Sequence, residues 1–300
     1  MKLNRQVHFT FIALATLLIQ TFAFAQAPTA KGQNKHCFWK VEGKGNTIYL
    51  LGSIHVLNKK FYPLDKPIED AFKNSQMLVL EADLAEMEST QTQMKMLMAG
   101  KYPEGESLQK NLTKETYTRL DNMLKESGLS AAAFDALRPW MVTVVIMASE
   151  LQKLGFNPNE GVDKYFYDKA KADGKKVRGL ETADFQLSIF KEFTPPEEEA
   201  MLKETFDEIH NLKKDMAELT TAWSKGDTTG LEKLVLDMVK AYPNIYKKMI
   251  LQRNQSWSTQ MDKLATSGQN AFVVVGTAHL VGKDSLLELL KKKGFTVNQL

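Results

Sequence analysis

The chain has 300 residues, of which 43% are hydrophobic and 25% are charged, and it contains one cysteine. These values are typical of a globular protein with a sizeable core, and they exclude disordered, collagen-like and disulfide-scaffold classes. The net charge of +3 is too small and too dispersed for a nucleic-acid-binding surface, so we expect no nucleic-acid partner.

Residues 1–25 are predicted to be a secretory signal peptide. Two cations precede an apolar stretch from Phe9 to Phe24, and Ala23-Phe24-Ala25 fits a small-x-small cleavage site. The alternative is a retained membrane anchor, but the apolar stretch is shorter and more interrupted than the roughly 20 residues of a spanning helix. Residues 26–36 are a predicted linker. We expect export to the periplasm or secretion, with no integral membrane segment after cleavage.

Two segments at opposite ends of the predicted domain, residues 37–300, repeat one pattern. Residues 48–57 read Ile-Tyr-Leu-Leu-Gly-Ser-Ile-His-Val-Leu, and residues 272–281 read Phe-Val-Val-Val-Gly-Thr-Ala-His-Leu-Val. Each is followed by an amphipathic helix and another strand, so we interpret them as a β-turn-α-β repeat. Strands this apolar suit a sheet covered on both faces, and strand-helix-strand crossovers favour parallel pairing.

The fold class predicted from these elements is α/β (α+β), with a mixed sheet core built from two related β-turn-α-β halves and a large helical insertion. A hairpin within residues 38–51 opens the domain. The insertion spans about residues 84–265 and is interrupted by a strand near residues 176–181. Residues 194–197 read Thr-Pro-Pro-Glu, a capping box that predicts the start of a long helix.

Four predicted strands end at or just before His55, Glu81, Glu181 and His279. Ligands of open α/β sheets bind at the carboxyl ends of the strands, so we expect these side chains to meet. Two imidazoles with one or two carboxylates suit a divalent ion such as Mn, Co or Zn and leave room for water. Such an ion lowers the pKa of bound water and polarises a carbonyl, which favours hydrolysis.

The alternatives for these residues are structural. A single G-x-x-H motif often marks a structural or surface histidine, and the duplication of the motif is what favours function. Glu81 could lie on the surface beyond its strand, with Asp83 competing for any role, and a carboxylate pair could be hydrogen-bonded structure without a metal. We interpret the glycine three residues before each histidine, Gly52 or Gly276, as allowing the chain to turn sharply where it leaves the strand.

Arg253 lies on the apolar face of a predicted helix that spans residues 245–264. An inward arginine usually has an anionic partner, so we expect it to pair with Glu81 or Glu181, or to hold a substrate carboxylate or oxyanion. The alternative is that only its stem packs and its head reaches solvent. The methionines at 94, 96 and 98 are interpreted as helix packing rather than as metal ligands.

The motifs resemble those of the TraB/GumN family, which includes the Tiki proteins. The residues that carry the resemblance are Gly52-Ser53-Ile54-His55, Leu80-Glu81-Ala82-Asp83, Gly161-Val162-Asp163, Gly179-Leu180-Glu181-Thr182 with Gln186, Arg253-Asn254 before Trp257, and Gly276-Thr277-Ala278-His279. The resemblance spans roughly Cys37 to the C-terminus. In the Tiki branch it implies a metal-dependent protease, typically with manganese or cobalt. It implies the site residues His55, Glu81 and His279, supported by Glu181 and Arg253.

The leading hypothesis is an exported metal-dependent hydrolase, specifically a peptidase acting on a peptide or protein. His55, Glu81 and His279 would bind the metal. Glu81, Glu181 and Arg253 are the predicted catalytic residues, with Glu181 as base or orienting group and Arg253 stabilising an anionic group. Two alternatives remain open at this stage: a metal-free, esterase-like hydrolase with a histidine as general base, and a non-catalytic envelope binding or accessory protein.

Overall fold

The computed structural model describes residues 35–241 and 243–300, without the side chains of residues 235–241. The predicted signal peptide and linker residues 26–34 lie outside the described residues. Within the described part, no helix combines the length and the apolar composition needed to cross a membrane.

The described residues form one mixed sheet. Its strands are β1 (Phe38–Glu42), β2 (Ile48–Ser53), β3 (Met77–Ala82), β4 (Lys176–Glu181), β5 (Ala271–Gly276) and β6 (Thr296–Gln299). They lie in the order β4-β3-β5-β2-β1-β6. The four strands β4, β3, β5 and β2 pair in parallel, whereas β1 pairs antiparallel with β2 and β6. The predicted α/β class with a mixed sheet is confirmed.

Helices surround this sheet and form most of the chain between β3 and β5. In chain order they are α1 (Lys66–Lys73), α2 (Leu84–Met87), α3 (Thr90–Ala99), α4 (Leu108–Asn111), α5 (Lys114–Lys125), α6 (Pro139–Lys153), α7 (Val162–Ala172), α8 (Ala183–Lys191), α9 (Pro195–Glu208), α10 (Leu212–Ser224), α11 (Thr228–Ala241), α12 (Pro243–Tyr246), α13 (Gln252–Ala265) and α14 (Leu286–Lys292). One π-helical turn, Lys247–Leu251, leads into α13. The capping box predicted at Thr194 is present at the start of α9.

The two repeats are interleaved in the sheet. β2 of the first repeat pairs with β5 of the second, from Ile48 opposite Ala271 to Ser53 opposite Gly276. β3, which closes the first repeat, lies on the other side of β5, and β6, which closes the second, lies beyond β1 at the sheet edge. The repeats therefore do not form two separate halves, and both G-x-x-H motifs leave adjacent parallel strands at the same level.

Complete burial explains why the central strands are so apolar. Every residue of β3 and of β5 is buried, because helices cover both faces of the sheet. Glu81 lies in β3 and is itself buried, at 6% exposure. A carboxylate in such a place must be hydrogen-bonded or paired, since an isolated buried charge is strongly disfavoured.

Candidate active site

The structure brings all the predicted site residues together at the carboxyl ends of the parallel strands. His55 follows β2, His279 follows β5, and Glu81 lies between them with its Oε1 atom 3.8 Å from the Nε2 atom of each imidazole. Arg253 projects from α13 and bonds both Glu81 and Glu181. The alternative that Glu81 lies on the surface is wrong. Asp83, its possible competitor, caps α2 by accepting the Ala85 N–H at 2.9 Å.

Gly276 lies beside the space that the imidazoles and Glu81 share. A Cβ atom added there would lie 3.0 Å from His55 Nε2 and 3.2 Å from Glu81 Oε1. The backbone of Gly276 has φ −52°, a value open to any residue. The interpretation of this glycine as a conformational exit is therefore wrong. The same holds for Gly52, whose φ is also ordinary and whose added Cβ would lie 2.9 Å from Thr277 Oγ1. Both glycines are needed for close packing.

An acidic partner orients the imidazole of His55. Its Nδ1 atom lies 2.7 Å from Asp163 Oδ2, and the Ser53 hydroxyl donates to the same oxygen at 2.6 Å. Asp163 comes from the first turn of α7. With Nδ1 bonded to a carboxylate, the Nε2 atom faces Glu81, and it is buried with no hydrogen-bond partner among the described residues. A carboxylate behind an imidazole in this way is a common support for a metal-binding histidine.

An amide orients His279 in the corresponding way. The Nδ1 atom of His279 lies 2.7 Å from Asn254 Oδ1, and the Asn254 amide nitrogen donates to the Asp284 carbonyl at 3.0 Å. Because the Asn254 oxygen is the acceptor, Nδ1 of His279 carries the proton and its Nε2 lone pair is directed towards the site. The repeat therefore places two imidazoles with the same outward atom, by way of different partners.

Arg253 has an acceptor within the protein for each of its five N–H groups. Nε donates to Glu181 at 3.0 Å, Nη2 to Glu181 at 2.7 Å and to Glu81, and Nη1 to the Met249 carbonyl at 3.0 Å and to His279 Nε2 at 3.2 Å. Met249 belongs to the π-helical turn, so that turn supplies one of the five acceptors. Arg253 therefore holds Glu81, Glu181 and His279 in place, and its donors are engaged within the site.

Glu181 is also fully engaged by protein groups. Besides Arg253, its oxygens accept hydrogen bonds from Trp257 Nε1 at 3.1 Å and from Gln186 Nε2 at 2.9 Å. Burial raises the pKa of Glu181 although Arg253 opposes this. Both oxygens face the protein rather than the space shared by His55, Glu81 and His279, which suits an orienting group better than a base.

The two imidazoles have different pKa values because their surroundings differ. Burial acts to lower the pKa of His55, but the charge and hydrogen bond of Asp163 outweigh it and raise that pKa to about 9. Burial, with Arg253 beside it, lowers the pKa of His279 to about 3. Burial acts to raise the pKa of Glu81, but Arg253, and to a lesser degree the two histidines, lower it to about 2. At neutral pH, Glu81 is ionised, His55 is protonated and His279 is neutral, so an ion bound at His55 Nε2 would displace a proton.

The donor atoms of His55, Glu81 and His279 fit a divalent cation, but Arg253 is bonded to one of them. Atoms bound to one ion by bonds of about 2.0 to 2.1 Å lie at most about 4.2 Å apart, and both imidazole Nε2 atoms are 3.8 Å from Glu81 Oε1. The unpartnered Nε2 of His55 and the space beside Gly276 also fit. Among the described residues, however, no three His, Cys, Asp or Glu side chains already form a metal-binding group. Arg253 Nη1, bonded to His279, is the group that a metal would have to replace.

Asp163 and Asn254 are the supporting residues whose roles the sequence motifs did not indicate. Asp163 reaches His55 across 108 positions of the chain, which no local pattern records. The local signals are the motifs Gly161-Val162-Asp163 and Arg253-Asn254, which carry the family resemblance without indicating these roles. Gly161 is required by packing, since an added Cβ would lie 2.3 Å from the His55 carbonyl oxygen. The other two histidines of the described chain lie outside the site, with His210 exposed and His36 mostly buried, 3.5 Å from Asp65.

A sequence profile of the TraB/PrgY/gumN family matches residues 37–299. This chain belongs to that family. The Escherichia coli protein named "Uncharacterized protein YbaP" is 25% identical over 81% of this chain and 87% of its own length. An "Uncharacterized protein" of Treponema pallidum is 18% identical over 89% of this chain and 83% of its own length. A "Metalloprotease TIKI homolog" of Amphimedon queenslandica is 23% identical over 89% of this chain, which spans 62% of that protein. No solved structure matches.

Proposed function

We propose that this protein is a metal-dependent hydrolase that cleaves peptide bonds after export. The observation that carries the proposal is that His55 and His279 both present Nε2 to one oxygen of Glu81, at 3.8 Å, while their Nδ1 atoms are bonded to Asp163 and Asn254. Imidazoles that are fixed by acceptors at Nδ1 are suited to hold a cation at Nε2. The Nε2 atom of His55 has no hydrogen-bond partner among the described residues, and that of His279 is bonded by Arg253 Nη1, which an ion would have to replace.

His55, Glu81 and His279 would hold the ion, which is Mn, Co or Zn in this proposal. When bound, such an ion polarises a carbonyl and lowers the pKa of water. The carboxylates of Glu81, Glu181 and Asp163 outnumber the cationic groups of the site, Arg253 and His55, so the site carries an excess of negative charge that favours a cation. Gly276 leaves the space, and its N–H donates to Glu81 Oε1 at 2.7 Å while Arg253 bonds Oε2. Together these bonds hold Oε1 at 3.8 Å from the Nε2 atom of each imidazole.

The peptide bond as substrate is supported by the relative from Amphimedon queenslandica, whose name is that of a metalloprotease. Export is supported by the signal-peptide pattern of residues 1–25. A buried cluster at the end of a sheet, with polar groups directed into one small space, is also a common setting for hydrolytic catalysis.

A metal-free hydrolase is the second candidate, and the His55–Asp163 pair favours it. An imidazole held by a carboxylate at 2.7 Å is the arrangement of a general base that acts on water. The contact between Arg253 Nη1 and His279 Nε2 at 3.2 Å also fits a site that works without an ion. In this candidate the pKa of about 9 for His55 makes activity rise with pH up to about that value.

Cleavage of a fluorescent casein substrate by the purified protein tests the proposal. We expect activity with Mn, Co or Zn that EDTA abolishes and that added metal restores, and we expect its loss in His55→Ala and His279→Ala. His210→Ala, which changes an exposed histidine outside the site, is the matched control and should keep full activity. Activity that survives exhaustive chelation but is lost in His55→Ala would replace the proposal with the metal-free candidate.

A further inference from the structure

Helix α13 holds the imidazole of His279 on three sides. Arg253 Nη1 donates to its Nε2 atom at 3.2 Å, and Asn254 Oδ1 accepts from its Nδ1 atom at 2.7 Å. The indole of Trp257, one turn further along α13, packs against the imidazole with 4.4 Å between the ring centroids. His279 is completely buried, so this one helix fixes both nitrogens and one side of the ring.

The Nε2 atom of His279 can bond Arg253 or a cation, but not both at once. Because Nδ1 carries the proton, Nε2 has one lone pair, and that lone pair accepts the hydrogen bond from Arg253 Nη1. An imidazole that binds a metal uses the same lone pair. The Nε2 atom of His55, by contrast, has no hydrogen-bond partner among the described residues. The competition with Arg253 therefore concerns His279 and not His55.

Arg253 has other partners that keep it in the site when it releases His279. Nη1 also donates to the Met249 carbonyl at 3.0 Å, and Nε and Nη2 donate to Glu181 at 3.0 and 2.7 Å. The guanidinium carbon lies 4.7 Å from the centre of the Trp257 ring, and Trp257 Nε1 donates to Glu181 at 3.1 Å. Loss of the bond to His279 therefore frees one N–H and leaves the guanidinium held.

We propose that Arg253 Nη1 and the metal ion alternate at the Nε2 atom of His279. The proposal rests on the proposed metal-dependent function and adds a regulation of the same site. Arg253 lowers the affinity for the ion, because the ion must replace a hydrogen bond to a charged donor before His279 can bind it.

The alternation also gives the freed N–H a use. While Nη1 bonds His279, all five N–H groups of Arg253 have acceptors within the protein. After the release, one N–H at Nη1 is left to bond substrate, and guanidinium N–H groups are strong donors to carboxylates and oxyanions. The expected role of Arg253 in stabilising an anionic group therefore belongs to the form of the site in which the ion is bound.

Isothermal titration of the metal-stripped protein with Mn tests the competition in Arg253→Lys. Lysine keeps one cation beside Glu81 and Glu181, but its compact ammonium group cannot reproduce the five donors of the guanidinium. We expect Arg253→Lys to bind Mn about tenfold or more tightly than the wild type, because no hydrogen bond to His279 has to be replaced. Arg178→Lys, at a half-buried arginine that bonds Gln260, is the matched control and should bind Mn as the wild type does.

A second measurement uses the wild type alone and detects the contact itself. With isotope-labelled arginine and histidine, nuclear magnetic resonance detects the coupling between two nitrogens that share a hydrogen bond. We expect this coupling between Arg253 Nη1 and His279 Nε2 in the metal-stripped protein, and we expect its loss when Zn is added. This readout decides the proposal even where Arg253→Lys does not fold.

The outcomes separate the alternation from the proposed function. Mn binding by the wild type that Arg253→Lys leaves unchanged or weakens overturns the alternation and leaves the metal site, as does a coupling that persists with Zn bound. Mn binding by Arg253→Lys but not by the wild type supports the alternation and removes the proposed metal dependence of the wild type. Absence of binding in both proteins overturns both claims.

Discussion

Arg253 balances the buried carboxylates of Glu81 and Glu181 with one guanidinium. Its side chain is 2% exposed, and the carboxylate side chains are 8% and 6% exposed. Removing one member of such a group leaves an uncompensated buried charge, which costs far more than a surface ion pair contributes. At the scale of single residues, the stability of the site therefore depends on this arginine.

Arg253→Met is expected to lower the free energy of unfolding by about 3 to 5 kcal/mol, measured by guanidinium denaturation. Arg253→Met/Glu181→Gln should regain part of this loss, because it removes one of the carboxylates left without a partner. Arg178→Met is the control, since Arg178 is half-buried and donates a long hydrogen bond of 3.4 Å to the neutral side chain of Gln260. A loss as small as that of the control would contradict the assigned role of Arg253.

Asp163→Asn tests the support behind His55. We expect metal affinity to fall by about 10 to 100-fold, as for other partners of metal-binding histidines, while the fold is retained because the substitution preserves shape. Isothermal titration with Mn or Co gives the affinity. Asp168→Asn, on the exposed side of the same helix α7, is the control and should bind metal as the wild type does. Equal affinity in both variants would show that His55 does not depend on Asp163.

At the scale of elements, the strands and the repeat could be predicted from the sequence. The apolar runs that form β3 and β5 are buried on both faces, and strands buried in this way have a continuous hydrophobic sequence. The duplicated motif predicted two equivalent histidines, and the register of β2 and β5 places them side by side. Local patterns of this kind record burial and turns directly.

Contacts between elements that are distant in the chain could not be predicted from the sequence. The interleaving of the repeats depends on which strands pair, and the role of Asp163 depends on how α7 packs against the end of β2. The π-helical turn Lys247–Leu251 leaves no periodicity that differs clearly from an α-helix. The sequence pattern suggested a conformational role for Gly276, which is wrong. The true requirement, space beside His55 and Glu81, can be recognised only once the positions of these side chains are known.

Gly276→Ala tests whether the end of β5 encloses the reactive space. The added methyl group would lie 3.0 Å from His55 Nε2 and 3.2 Å from Glu81 Oε1, so we expect metal binding to weaken by about tenfold or more, since contacts this short cost about 1 to 3 kcal/mol. Circular dichroism should show the native fold, because the backbone of Gly276 suits alanine. Metal affinity equal to that of the wild type would place the binding space elsewhere.

At the scale of the whole molecule, the site joins both ends of the described chain. His55 and His279 are separated by most of the sequence and meet only because β2 and β5 pair. Any ion that they bind together must therefore stabilise the folded state over the unfolded one, by an amount that grows with its concentration above the Kd.

Cys37, beside β1 in the core, provides a probe of global stability. Burial, and then the charge of Asp227, raise the pKa of its thiol from 9.0 to about 12. The unfolded state therefore loses this proton at lower pH than the folded state, so stability should fall as pH rises from about 9 to about 12. Denaturation of wild type and Cys37→Ala at several pH values should show this decline in the difference between them. A difference that does not change with pH would contradict the burial of Cys37.

The most direct test of the shared site is a calorimetric titration of the purified, metal-stripped protein with Mn, Co and Zn. The account predicts one ion per chain for the wild type and for His210→Ala, and loss of that binding in His55→Ala, in His279→Ala and in Glu81→Gln. Absence of stoichiometric binding in the wild type, or binding that is unchanged when either His55 or His279 is replaced, would contradict it.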